Sequence, residues 1–217
     1  MSPASGTPGI VYVVDDDLAF LKAIGRVITA AGHTARLYSS APDYLSADNS
    51  EGPACVLLDL RMPGLSGLDL QSALERRKDA HPVIFLSAYG DIPTTVRAMR
   101  GGALDFLTKP VTTAELLKMV RRALDRDEEG RQSRARLAEV RERFATLTPR
   151  ERQVMAGVVA GRLNKQICYA LQLAERTVKT HRARVMEKMS VRSVAELVRL
   201  TQQLAEDGVT LESTCFE

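Results

Sequence analysis

Residues 54–67 read ACVLLDLRMPGLSG, and the class of fold turns on them. Ala54–Leu58 is a short apolar run of the kind that forms a strand buried on both faces. Asp59 bounds it at once, and the loop RMPGLSG follows. The same grammar recurs on either side. Ile10–Val14 (IVYVV) runs into Asp15–Asp17, Pro82–Leu86 (PVIFL) ends at Ser87, and Leu104–Leu107 leads to Lys109. Thr34–Tyr38 reads as one further strand. Between them lie helical patterns. Leu18, Leu21, Ile24 and Ile28 recur at helical spacing, with Gly32 as a left-handed cap. Ala41–Ala47, Leu68–Arg77, Ile92–Arg100 (stopped by Gly101-Gly102) and Thr113–Leu124 complete the set. Five strands alternating with five helices, each strand taken as a continuous apolar run, predict an open α/β domain with a parallel sheet covered on both sides.

The charge divides the chain further. Of 217 residues, 1–124 and 125–146 are each neutral, 147–205 carry a net +7, and 206–217 carry −4. A basic block behind a neutral domain points to a polyanion partner. Residues 125–146 are rich in alternating charges, with Leu137, Val140 and Phe144 at 3–4 spacing, and read as a linker helix interrupted near Gly130. Beyond them only helical patterns occur: a start at Thr148-Pro149-Arg150-Glu151 with Thr148 as N-cap and Glu151 placed for a capping box, an end at Gly161, then 164–171, a turn at 172–174, 175–189 and 193–205. This small all-α unit is too small for an ordinary enzyme.

Three cysteines (Cys55, Cys168, Cys215) without CxxC or Cys/His spacing argue against a disulfide framework or a zinc site and fit a reducing cytoplasm. No apolar run approaches the ~18–20 residues of a membrane span. Residues 1–9 lack the zones of a signal peptide and read as a disordered lead-in. The expected division is 1–9, 10–124 (α/β domain), 125–146 (linker), 147–205 (basic helical unit) and 206–217 (acidic tail).

In an open α/β sheet ligands sit beyond the carboxyl ends of the strands, where Asp15–Asp17, Asp59, Ser87 and Lys109 would meet. Several carboxylates at one edge repel each other, and oxygen-only ligands suit Mg²⁺ (or Mn²⁺). With Lys109 as a fixed cation and Ser87 as a hydroxyl donor, the set suits phosphoryl transfer to a carboxylate, Asp59 attacking in line.

VVDDD at 13–17, LDLRMPG at 58–64, LSAYGD at 86–91 and DFLTKP at 105–110 resemble the receiver domain of two-component response regulators, over essentially all of residues 10–124. That resemblance implies a flavodoxin-like fold with Asp59 as phosphoacceptor. It makes Asp15, Asp16, Asp59 and the backbone carbonyl of Arg61 the metal ligands, Ser87 and Phe106 the switch residues, and Lys109 the phosphate contact. It also implies a cis Lys109–Pro110 peptide, Asp17 as a helix cap, and Arg61 and Tyr89 flanking the attacking water. Serine stands here where threonine is commoner at position 87, and phenylalanine in place of tyrosine at 106.

LTPRERQVM at 147–155, NKQICYAL at 164–171 and ERTVKTHRARVMEKM at 175–189 resemble the helix-turn-helix domain of the LuxR/NarL class, and the domain order is most similar to the FixJ subgroup. On helix 175–189, Val178, Val185, Met186 and Met189 form a core stripe, leaving Lys179, Arg182, Arg176 and Lys188 on other faces to meet phosphates or base edges. The resemblance places Lys179, Thr180 and Ala183 toward the major groove, with Thr177, Lys165, Arg182 and Arg184 as further DNA contacts. His181 reads as a packed structural histidine. Val194, Leu197, Val198 and Leu200 combine core and dimer-contact residues.

The expected protein is a cytoplasmic transcriptional regulator, most simply an activator. A sensor histidine kinase phosphorylates it, it pairs into a homodimer through the surface around Val96–Met119, and it acts on promoter DNA and RNA polymerase. An aspartyl phosphatase of the haloacid-dehalogenase kind needs a second Asp two residues after the nucleophile, and position 61 is Arg. A DNA-binding factor with a degenerate receiver is opposed by the intact Asp15, Asp16, Asp59, Ser87 and Lys109.

Overall fold

The computed structural model describes residues 8–47, 52–77, 81–88 and 91–209. Residues 1–7, Tyr89 and residues 210–217 of the tail lie outside the described residues. The first ten elements are β1 Ile10–Val14, α1 Leu18–Ala30, β2 Thr34–Tyr38, α2 Ala41–Ser46, β3 Ala54–Asp59, α3 Gly67–Arg77, β4 Val83–Ser87, α4 Ile92–Arg100, β5 Asp105–Thr108 and α5 Thr113–Ala145. Four helices follow: α6 Pro149–Val159, α7 Asn164–Leu171, α8 Glu175–Lys188 and α9 Val194–Glu206.

All pairings in the sheet are parallel, in the order β2-β1-β3-β4-β5. Alternation along the strands sends Tyr12, Val14, Val56, Leu58 and Phe85 into one core with Leu70, Leu74 and Ala98 of α3 and α4. Val11, Val13, Leu57 and Ile84 enter the opposite core with Leu21 and Ile28 of α1 and Leu116 and Val120 of α5. The domain is therefore doubly wound, as expected. Strand order reverses between β1 and β3, so the crevice for ligands opens beyond Val14 and Asp59.

Two expectations need correction. Only β1, β3 and β4 are near-continuous buried runs; β2 (TARLY) and β5 (DFLT) are half-exposed. They are the sheet edges, where one flank lacks a neighbouring strand. Nor does the fifth helix end at Leu124 with a break near Gly130. It continues as one 33-residue helix to Ala145. A glycine in a helix interior costs only about 0.5–1 kcal/mol, and packing on both sides outweighs that. Asp127 is buried, its Oδ2 accepting from Ala54 N at 2.9 Å and lying 3.5 Å from His81 Nδ1. Val140 and Phe144 are buried in a third core.

The chain divides into two compact units, Met1–Gln132 and Ser133–Glu217. The second is all-helical around Leu147, Val154, Met155, Ile167, Val178 and Leu197. Thr148 caps α6 with Pro149 behind it, and Glu151 closes the capping box onto the Thr148 amide at 2.9 Å. Gln172, in the left-handed region at φ 52°, turns α7 into the approach to α8.

Candidate functional site

The pairing register brings the polar strand ends together. Asp15 follows the last residue of β1, its amide bonded to Tyr38 O at 3.1 Å. Asp59 is itself the last residue of β3, paired with Leu86, and Ser87 ends β4 opposite Thr108. The strands thus run one residue further than their apolar runs, because the ladder bonds the backbone whatever side chain it carries. Lys109 follows β5, its amide bonded to Ser87 O at 2.8 Å, and the Lys109–Pro110 peptide is cis.

Lys109 Nζ binds Asp15 Oδ2 at 2.5 Å and Asp59 Oδ1 at 2.8 Å. The other Asp59 oxygen accepts from the Arg61 amide at 2.6 Å, keeping that stretch of backbone beside the carboxylate. Asp15, Asp59 and Ser87 are all buried. Asp17 caps α1, accepting from Ala19 N at 2.8 Å and Phe20 N at 3.1 Å. Phe106 is half-buried and stacks on Phe85, centroids 6.1 Å apart.

Two carboxylates around one ammonium leave the cluster one negative charge in excess. Burial raises the Asp15 pKa, and the Lys109 hydrogen bond offsets this only in part. Burial alone would pull Lys109 down, but its bonds to Asp15 and Asp59 outweigh it and hold the ammonium above its usual value. Burial thus favours the neutral form of Asp15 while the two carboxylate partners of Lys109 keep it protonated, and a divalent cation beside Asp15 would favour the ionised carboxylate. Asp16 is exposed, and among the described residues no three His, Cys, Asp or Glu side chains are grouped to hold a metal. The expected carboxylate set is therefore gathered only in part. Two carboxylates and a backbone carbonyl still fit Mg²⁺, which fills the rest of its octahedral shell with waters.

Three contributors to the structure of this domain carry no sequence signal of their role. Phe20, an ordinary apolar residue of an amphipathic helix, lies with its ring centroid 3.9 Å from Lys109 Nζ. Gly67 opens α3 so close to β3 that an added Cβ would sit 2.3 Å from Asp59 O. Gln71 is buried and donates to Ala98 O at 2.9 Å and Gly101 O at 2.7 Å, closing the end of α4.

On the helical unit, Lys165, Lys179, Thr180, Ala183 and Arg184 are exposed, while Thr177 and Arg182 are half-buried. Lys179 pairs loosely with Glu175 at 3.0 Å, both side chains being about half or more exposed. Arg182 Nη1 donates to Asn164 Oδ1 at 3.1 Å, and a guanidinium with five N–H donors can also reach a phosphate. Val178, Val185 and Met189 are buried as expected, and His181 is half-buried with Nδ1 enclosed. Lys188 is a correction: it does not face outward to phosphates. Its Nζ donates to Glu151 Oε2 at 2.7 Å and Thr146 O at 3.0 Å, because the buried Glu151 carboxylate requires a cation.

An acidic crevice with a lysine at the switch point of a doubly wound sheet, followed by a basic helical unit, defines the class of two-domain regulators with an α/β input module and a helix-turn-helix output module. Comparison with known proteins agrees. Residues 11–121 match the response regulator receiver domain, and residues 145–201 match the bacterial regulatory proteins of the luxR family. Nodulation protein W of Bradyrhizobium diazoefficiens is 41% identical over 210 residues, spanning 97% of this chain and 92% of that protein. The transcriptional regulatory protein FixJ of the same organism is 38% identical over 197 residues, spanning 91% and 96%. The structure of the response regulator StyR matches with TM-score 0.80 at 40% identity, covering 91% of this chain and all of that one. The chain belongs to the response regulators, with a receiver domain followed by a LuxR-type DNA-binding domain.

Proposed function

We propose that Asp59 accepts a phosphoryl group from a sensor histidine kinase and that this switches a DNA-binding transcriptional activator. The observation that carries the reading is Lys109 bridging Asp15 and Asp59, which puts a cation beside the carboxylate that would be modified. One Asp59 oxygen attacks phosphorus, the P–N bond of the phosphohistidine breaks, and the imidazole nitrogen leaves with the electron pair. Lys109 moves from the Asp59 carboxylate to the transferred phosphoryl oxygens, and Ser87 donates its hydroxyl to them. Mg²⁺ or Mn²⁺, when bound, supplies charge neutralisation; Asp15, Asp59, the Arg61 carbonyl and, from the rim, Asp16 would hold it.

Ser87 drawn toward the dianion vacates space behind it, and Phe106, stacked on Phe85 one strand away, turns inward. Arg61 and Tyr89 set how fast water removes the group. The surface that changes runs over α4, β5 and the start of α5, around Val96–Met119. There Ile92, Val96 and Met99 recur along α4, 80%, 41% and 44% exposed, as an apolar face suited to a second copy. The homodimer then sets two α8 helices on half-sites about one helical turn apart. Lys179, Thr180 and Ala183 face the groove, and Thr177, Lys165, Arg182 and Arg184 contact its edges and backbone. In this reading residues 10–124 are the switch, 125–146 the connection and 147–205 the DNA reader. The protein acts in the cytoplasm on promoter-bound RNA polymerase.

The test is acetyl phosphate with Mg²⁺, read by intact mass and by selection of binding sites from a random duplex library. The wild type gains one phosphoryl group and enriches a defined site more strongly when phosphorylated, and Asp59→Asn does neither. Modification of Asp59→Asn to the same extent, or equal enrichment by both proteins, overturns the reading.

A further inference from the structure

Resting on the phosphoacceptor reading above, we infer that Phe20 is a positioning residue for Lys109: its ring face holds the ammonium between Asp15 and Asp59 and keeps water off it. An ammonium has three N–H donors. Two directions are taken by Asp15 Oδ2 at 2.5 Å and Asp59 Oδ1 at 2.8 Å. The ring of Phe20 covers another, its centroid 3.9 Å from Nζ, well inside the ~6 Å reach of a cation–π contact. The Lys109 side chain is 18% exposed, so the contact forms in a largely dehydrated setting where such attraction is strongest.

The backbone aims the ring. Asp17 caps α1 and binds the Phe20 amide at 3.1 Å, so the acidic run that supplies the site also fixes where Phe20 leaves the helix. Phe20 is half-buried against the α1–α5 core, which anchors the ring on its other side. The chemical logic is that a π face attracts the cation without being an anion. A third carboxylate would hold Lys109 too strongly to be released to a phosphoryl group, and water would compete for the same donor. The ring restrains Nζ, and leaves it free to swing to the new oxygens when Asp59 is modified.

The test uses the full chain with Phe20→Leu, Phe20→Tyr and pentafluorophenylalanine at position 20, which keeps the ring's shape but reverses its quadrupole. Thermal melts establish that each variant is folded. The rate of modification by acetyl phosphate with Mg²⁺ should fall about 3- to 10-fold for the leucine and fluorinated proteins and return to near wild type for tyrosine. The Lys109 ε-methylene proton signals should show an upfield ring-current shift in the wild type that Phe20→Leu abolishes. Equal rates in all variants, or a fluorinated protein as fast as wild type, overturn the inference. Lys109 signals without a ring-current shift overturn it too, and that measurement is independent of phosphorylation. Absence of modification in the wild type itself would instead overturn the phosphoacceptor reading while leaving the ring-current measurement to decide the role of Phe20.

Discussion

Gly67 shows how one missing side chain maintains the site. Its Cα stands so close to β3 that a Cβ would lie 2.3 Å from Asp59 O and 3.0 Å from Phe85 Cε1. The first obstacle is backbone, which cannot rotate away. Gly67→Ala should therefore destabilise the receiver by about 1–3 kcal/mol in urea unfolding, and should slow Asp59 modification by displacing the end of β3. A Gly67→Ala protein with unchanged midpoint and rate would contradict the geometry. Asp15, Asp59, Ser87 and Lys109 are legible as a set, because each is a polar residue that interrupts an apolar run at a strand end and the parallel sheet aligns those ends. Phe20, Gly67 and Gln71 are not, because an apolar, a small and an amide residue are unremarked inside helical segments. Their roles depend on neighbours distant in sequence, such as Lys109 for Phe20.

Between elements, Glu151 and Lys188 tie the start of α6 to the end of α8. Glu151 is buried, its carboxylate accepting from Lys188 Nζ at 2.7 Å and from the Thr148 amide at 2.9 Å. Burial pushes its pKa up, but these bonds win and hold it below its ordinary 4.5. A depressed carboxylate contributes stability that is present above its unfolded value and is lost as pH falls through the lower folded one. Glu151→Gln should lower stability by about 1–3 kcal/mol, and that gap should be constant between about pH 5 and 7 and close in more acid solution. Thermal melts across pH check this; a gap that widens in acid would reverse the assignment. Helix α5 carries a related lesson. Its charge pattern and Gly130 read as a broken linker, yet the helix is continuous to Ala145. Local propensity at Gly130 is worth at most about 1 kcal/mol, whereas Asp127 on one side and Phe144 on the other are buried.

Across the whole molecule the net charge of +3 conceals a neutral receiver, a DNA reader at +7 and a tail at −4. Phosphate neutralisation makes affinity fall with salt in proportion to the contacts made. Arg184→Ala and Lys165→Ala, both at exposed positions, should each reduce the slope of log affinity against log salt by about one for a non-specific duplex. Lys188→Ala should lower stability and leave that slope unchanged, since its ammonium is held by Glu151. Fluorescence anisotropy in a salt series separates the two kinds of lysine. Deleting residues 206–217 should raise non-specific affinity most at low salt, because it removes four negative charges, three of them besides the Asp207 carboxylate already paired with Arg141; an unchanged affinity would exclude the tail from this role.

Local patterning along the chain dictates the alternation of strands and helices, the polar residues at the strand ends and the basic block. All three are local: periodicity, capping chemistry and charge are properties of neighbours in the chain. Tertiary structure alone decided which strands became half-exposed edges, that α5 would not break, that Lys188 would serve Glu151 and not DNA, and that Phe20 would cover Lys109. Those outcomes depend on burial and on partners brought from far along the chain. Desolvation and packing there exceed the fractions of a kcal/mol that local preference supplies.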